Sequence, residues 1–147
     1  MEKLYTGRDF HGFEVGETLV SPGRTITEAH IAAYAGLSGD FNPLHTDEEF
    51  ARNTVHGGRI AHGMLTAGIA AGMLNRYVDG TAVALLDAQF KLTRAVRAGD
   101  TLHISATVAN KRLSSKGNSG IVEFGVDMLN QNGETVLSGA WKILLNA

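Results

Sequence analysis

Gly63-Met64-Leu65-Thr66-Ala67-Gly68-Ile69-Ala70-Ala71-Gly72-Met73-Leu74 is the stretch on which the fold turns. A helix wound through it carries apolar side chains on nearly every face, and such a helix has to be enclosed by other elements. The spacing predicts it over residues 63–78, about 24 Å long at 1.5 Å per residue. Gly68, Gly72 and the alanines keep it thin, so a sheet can approach closely. The apolar run falls short of the roughly 20 residues that a membrane span requires, so it reads as a buried helix and no membrane partner is expected.

Downstream of this helix the hydrophobic period changes from helical to two. Ala82, Ala84, Leu86, Ala88, Phe90 and Leu92 share one face of a predicted strand, with Asp87, Gln89, Lys91 and Thr93 on the other. The alternation returns in Leu102, Ile104, Ala106 and Val108, then in Val122, Phe124, Val126 and Met128. It returns again in Leu137, Trp141, Ile143 and Leu145. Turn sequences separate these strands at Ala98-Gly99-Asp100, at residues 116–120 and at Asn130-Gln131-Asn132-Gly133. The simplest architecture is α+β: a strongly curved antiparallel sheet wrapped around a long central helix, the arrangement called a hotdog fold. With 147 residues, 44% of them hydrophobic, the chain suits one domain over 1–147 and leaves no room for a second.

Upstream, residues 5–23 alternate glycines with short apolar pieces and read as an arm that covers the core, with one short strand over 17–20. Thr27 is a candidate N-cap for a helix from Glu28 to the Ser38-Gly39 break. Thr46-Asp47-Glu48-Glu49 matches a capping box and predicts a short helix to about Asn53, which puts His45 just before a helix start. Residues 55–60, with Gly57 and Gly58, read as a loop.

Between the two early helices lies Ser38-Gly39-Asp40-Phe41-Asn42-Pro43-Leu44-His45. Near neutral pH Asp40 is charged and an imidazole such as His45 can move a proton either way, which is what general acid-base catalysis requires. Gly39 admits a conformation closed to other residues, and Pro43 fixes its own φ and drives Asn42 out of helical geometry. The result is a rigid bend that aims both side chains into one cavity. Other function classes are excluded by composition. The 13 Lys and Arg residues are scattered and net charge is −2, so no nucleic-acid footprint is expected. Cysteine is absent, which removes disulfides, thiolate chemistry and Cys-built zinc sites. His56 and His62 have no supporting carboxylate pattern, so no metal is expected. His11, His30 and His103 read as surface or structural. Residues 1–8 lack the apolar core of a signal peptide, and the expected location is the cytoplasm.

Asp40-Phe41-Asn42-Pro43-Leu44-His45, followed by Ala61-His62-Gly63-Met64, resembles the hydratase signature of the MaoC-like dehydratases, the family that includes the (R)-specific enoyl-CoA hydratases. The resemblance runs from about Phe10 to Trp141 and includes Gly36-Leu37-Ser38-Gly39 and residues 96–102. Ala95 departs from the proline that many members carry there, which touches a turn and not the chemistry. The resemblance implies reversible syn addition of water to a trans-2-enoyl thioester, giving the (3R)-hydroxyacyl thioester. Asp40 and His45 would be the catalytic pair, the Gly63 amide an oxyanion donor at the helix start, and Asn42 and His62 supporting residues. It implies no cofactor, since CoA or an acyl carrier protein arrives with the substrate, and a homodimer as partner state. Arg94, Arg97, Lys111, Arg112 and Lys116 are candidates to meet CoA phosphates.

Two rivals stand beside this reading. A thioesterase of the same fold would release thiol, but such enzymes usually take a carboxylate from the central helix, and Met64 to Leu74 contains none. A non-catalytic acyl-CoA-binding module would bind without turnover and leaves the Asp40-His45 pair unexplained.

Overall fold

The computed structural model describes residues 4–147; Met1, Glu2 and Lys3, which open the segment read for a signal peptide, lie outside them. Two short strands come first, β1 (Thr18–Val20) and β2 (Arg24–Thr25). Four helices follow: α1 (Glu28–Ser38), α2 (Pro43–Thr46), α3 (Glu48–Arg52) and α4 (Gly63–Asn75). The long strands β3 (Ala82–Leu92), β4 (Thr101–Leu113), β5 (Ser119–Leu129) and β6 (Thr135–Asn146) complete the chain. The sheet is antiparallel and open, in the order β1-β4-β5-β6-β3, with β2 also on β4. This is the hotdog arrangement.

The alternation read in the last three strands is what the core is made of. All twelve apolar positions named above in β4, β5 and β6 are at most 2% exposed. They face α4, whose Ala67, Ala70, Met73 and Leu74 are buried against them. A 3-10 turn, Arg76–Val78, extends α4 to the predicted end.

β3 departs from its expected pattern. Among the described residues it is an edge strand paired only with β6, and its register slips between Ala82 and Ala84 and between Leu85 and Asp87. Each slip changes which side chains share a face, so period two is lost and Val83, Leu85, Leu86 and Leu92 are about half exposed. The enclosure expected for α4 is also one-sided within a single chain. Met64 is 59% exposed, and a methyl added at Gly68 or Gly72 would meet nothing within 4 Å. One curved sheet can cover only one side of a cylinder.

The arm builds the core rather than merely covering it. Phe10, Phe13 and Leu19 are buried, and Phe13 meets Phe124 edge-on, with ring centroids 5.4 Å apart. Burying one such phenylalanine contributes about 1.5–3 kcal/mol. Isolated aromatics between glycines have no periodicity, so the sequence concealed them, along with the 3-10 turn Phe10–Gly12 and the two-residue β2. α1 matches its reading: Thr27 accepts from the His30 amide at 3.4 Å, and His30 Nδ1 accepts from the Thr27 amide at 3.0 Å. Gly39 ends it with φ of 77°, in the left-handed region that favours glycine.

The candidate active site

Asp40 leaves α1 on that left-handed glycine. Its amide donates to Ser38 Oγ at 3.1 Å and its carboxylate accepts the Asn42 amide at 3.2 Å, an Asx turn that holds the exposed side chain in place. Asn42 repeats the device, accepting the Leu44 amide at 3.0 Å and capping α2, with Pro43 at the first helical position. Asn42 therefore shapes the loop.

Two local expectations are corrected here. His45 lies within the single turn of α2 rather than ahead of a helix start. The next helix is capped not by Thr46 but by Asp47, whose carboxylate accepts the Phe50 amide at 3.0 Å. Asp and Thr are both good caps. The turn that Asn42 and Pro43 impose consumes Thr46, which bonds back to the Phe41 and Asn42 carbonyls.

His45 is half-buried, and its Nδ1 lies 2.7 Å from the Ile60 carbonyl. A carbonyl only accepts, so Nδ1 carries the proton and Nε2 keeps a free lone pair in the neutral ring. His62 is buried at 2% exposure, with Nε2 2.9 Å from the Asp40 carbonyl. By the same logic Nε2 donates, and Nδ1 is left buried without a partner among the described residues. The His62 ring stacks on His45 at 3.9 Å and touches Tyr34 at 4.7 Å. Asp40, His45 and His62 present nitrogen or carboxylate atoms within 4.8 Å of one another. Such a trio could face a metal ion, but one nitrogen of each ring is spent on a carbonyl.

Gly63 begins α4, which has no side-chain cap, and its amide donates to no protein atom among the described residues. A helix start leaves such amides free and adds a favourable dipole for negative charge. His45 and Gly63 line one cavity of about 310 Å³, walled also by Thr66, Leu92 and Val96. The cavity is held open across the fold, since the Ala61 amide donates to the Val96 carbonyl at 2.7 Å. His45 thus stands between a neighbouring carboxylate, Asp40, and a cavity whose wall holds the Gly63 helix amide.

A family model described as the MaoC like domain matches residues 12–128. The chain belongs to this MaoC-like family. It is 38% identical over 99 residues to an (R)-specific enoyl-CoA hydratase of Rhodospirillum rubrum, covering 67% of this chain and 68% of that one. Among solved structures it resembles an Archaeoglobus protein described as a monoamine oxidase regulatory protein, with a TM-score of 0.87, 35% identity and 95% of each chain covered. It also shares its fold with the Mycobacterium tuberculosis protein Rv0216, described as a double hotdog (TM-score 0.89, 22% identity), covering 96% of this chain and 44% of that one.

In this MaoC-like chain Asp40, His45 and His62 lie within 4.8 Å of one another, and His45 shares the cavity wall with Gly63. Of the five cations expected to meet phosphates, Arg94 lines the cavity and Arg97 follows its wall at Val96, while three lie elsewhere. Lys111 Nζ donates to the Phe13 carbonyl at 2.6 Å and lies 4.4 Å over the Phe10 ring, so it is a structural cation. Arg112 sits near the β4–β5 turn, and Lys116 lies within that turn. That turn borders Asn146 and the start of β3, whereas the cavity lies at the other end of β3, at Leu92. Sequence reasoning missed Tyr34, the Ile60 carbonyl, Thr66 and Leu92. None carries a motif, because each reaches the site only through tertiary contact.

Charge near the site is organised by Arg59, which bonds Glu48 at 2.8 Å and Glu28 at 2.9 Å and so ties α1, α3 and the 55–60 loop together. The hydrogen bond from Arg59 holds the Glu48 carboxyl below its ordinary range, and Glu48, then Glu28, hold Arg59 above its own.

Proposed function

We propose that this protein adds water reversibly to a trans-2-enoyl-CoA, giving the (3R)-hydroxyacyl-CoA, with Asp40 and His45 as the proton-transferring pair. The observation that carries the reading is the placement of the Asp40 carboxylate and a His45 nitrogen within 4.8 Å, in a chain whose cavity is headed by a helix start. One water fits between two such groups. The pair takes a proton from it as its oxygen bonds to the β-carbon. The alkene electron pair moves toward the thioester oxygen, and the pair returns one proton to the α-carbon, so water is added and no proton is lost. The Gly63 amide meets the charge that builds on the thioester oxygen. Asn42 holds the bend, and His62 anchors the Asp40 carbonyl while packing against the His45 ring. Proton transfer and an oxyanion donor suffice for this chemistry, so the proposal calls for no cofactor beyond the CoA or carrier that brings the substrate.

The working unit we propose is a homodimer. The open side of α4 and the half-exposed β3 edge are apolar surfaces that a second copy would cover, and the fold is shared with a chain described as a double hotdog. Sedimentation equilibrium reads this directly. A monomer at micromolar concentration would refute it.

Purified protein mixed with crotonyl-CoA is expected to consume the enoyl-thioester absorbance and to yield the (3R) product on chiral analysis. Release of free thiol without loss of the alkene would establish a thioesterase instead. Tight binding with neither change would establish a binding module.

A further inference from the structure

We infer that Arg97 is the residue by which this site reads the phosphate of a phosphopantetheine arm, and so distinguishes CoA and carrier thioesters from thioesters without phosphate. The inference rests on the hydratase reading for its thioester and on different atoms for its argument.

Of the cations near the cavity, Arg94 is paired with Glu134 at 2.7 Å, and Arg59 is occupied by two glutamates. Lys91 precedes Leu92 on β3, with no register slip between them, so it projects from the face opposite the cavity wall. Arg97 differs. Its guanidinium donates to the His56 carbonyl and, at 3.5 Å, to the Arg59 carbonyl, and no carboxylate pairs with it among the described residues. Asp100 is nearby, but its two oxygens accept the Arg97 backbone amide and the Gln131 side chain. The guanidinium also lies against Gly58, where a Cβ would stand 3.3 Å from Nη1 and 3.2 Å from Glu48 Oε1, so the carboxylate that Arg59 holds is a near neighbour without being a partner.

The guanidinium is therefore hydrogen-bonded to neutral carbonyls and forms no ion pair among the described residues. Its tethers are in the right place. His56 lines the cavity, and Val96, which precedes Arg97, forms part of its wall. From Arg59 to Gly63 is four residues, at most about 14 Å of extended chain. A pantetheine arm running from a thioester at Gly63 covers such a span, and its terminal phosphate would arrive at a guanidinium whose fork suits bidentate oxygen contacts. The neighbouring Glu48 carboxylate is bonded to Arg59, and Arg94 and Val96 line the wall that leads to Arg97.

The test compares crotonyl thioesters of pantetheine, 4′-phosphopantetheine and CoA in the wild-type protein, Arg97→Gln and Arg97→Lys. In the wild type, adding the single phosphate is expected to raise kcat/KM about tenfold or more, mainly through KM. Arg97→Gln is expected to bring that ratio close to one, and Arg97→Lys to restore part of it, since the charge returns without the fork. CoA outperforming phosphopantetheine would show that the nucleotide phosphates are read as well, while parity points to the arm phosphate that carrier proteins share. An unchanged phosphate preference in Arg97→Gln, or no preference in the wild type, would overturn the assignment. Calorimetric binding of free phosphopantetheine against pantetheine gives the same ratio without turnover. Inertness toward all three thioesters would therefore refute the hydratase reading while this second ratio still decides the role of Arg97.

Discussion

Replacing Gly63 by alanine separates the oxyanion donor from the packing around it. A Cβ at this position would overlap Leu92 Cδ1, so something must move, but that atom ends a flexible side chain that is 48% exposed. Turning Leu92 off its preferred rotamer costs about 0.5–1.5 kcal/mol. Alanine offsets this, since it favours a helix over glycine by at most about 1 kcal/mol, and Gly63 is not at positive φ. The two terms nearly cancel. Gly63→Ala should fold, with a melting temperature within about 4 °C of wild type. Turnover should fare differently, because the new methyl stands beside the free amide where the thioester oxygen must arrive. Loss of one oxyanion donor lowers kcat about a hundred- to a thousandfold. The assay is crotonyl-CoA hydration for wild type, Gly63→Ala, Leu92→Ala and the double variant. Near-normal kcat in Gly63→Ala would refute the reasoning. So would recovery of activity in the double variant, because the defect would then come from a displaced Leu92 and not from the masked amide.

Asp40→Asn and His45→Ala should each cut turnover by about a hundredfold or more while retaining native-like melting, since Asp40 is exposed and His45 half-buried; near-normal activity in either would overturn the pair. Glu48→Gln should destabilise the protein near neutral pH, where the Arg59-held carboxylate is fully charged. Because its folded pKa is lowered, the contribution is complete above the ordinary glutamate range, near pH 4.3, and is lost as pH falls below it. Melting curves of the two proteins should therefore converge in strong acid, and a constant gap would refute the linkage. Phe124→Ala should cost about 3–5 kcal/mol in urea unfolding, because it empties a fully buried site against Phe13; a loss under 1 kcal/mol would mean that the arm does not seal the core.

Much of this molecule is legible from local pattern. The alternations in β4, β5 and β6 and the apolar α4 could bury their residues only by a sheet folding onto a helix, and periodicity reports that directly. The bend at Asp40 was legible for the same reason, since glycine, asparagine and proline act on their own and adjacent dihedrals. What stayed hidden depends on partners distant in the chain. The slips in β3 come from its pairing with β6, and no feature within residues 82–92 announces them. The proton on His45 is placed by the Ile60 carbonyl, fifteen residues away, and His62 joins the site by stacking on a ring seventeen residues earlier. Arg97 and Arg94 look alike in sequence, and only their neighbours give one an ion pair and leave the other on backbone carbonyls. Residue type and spacing thus determined the fold class and the chemical groups at hand. Tautomer, ion pairing and exposed edge were decided by tertiary structure, because each is set by which distant carbonyl, carboxylate or strand the folded chain brings alongside.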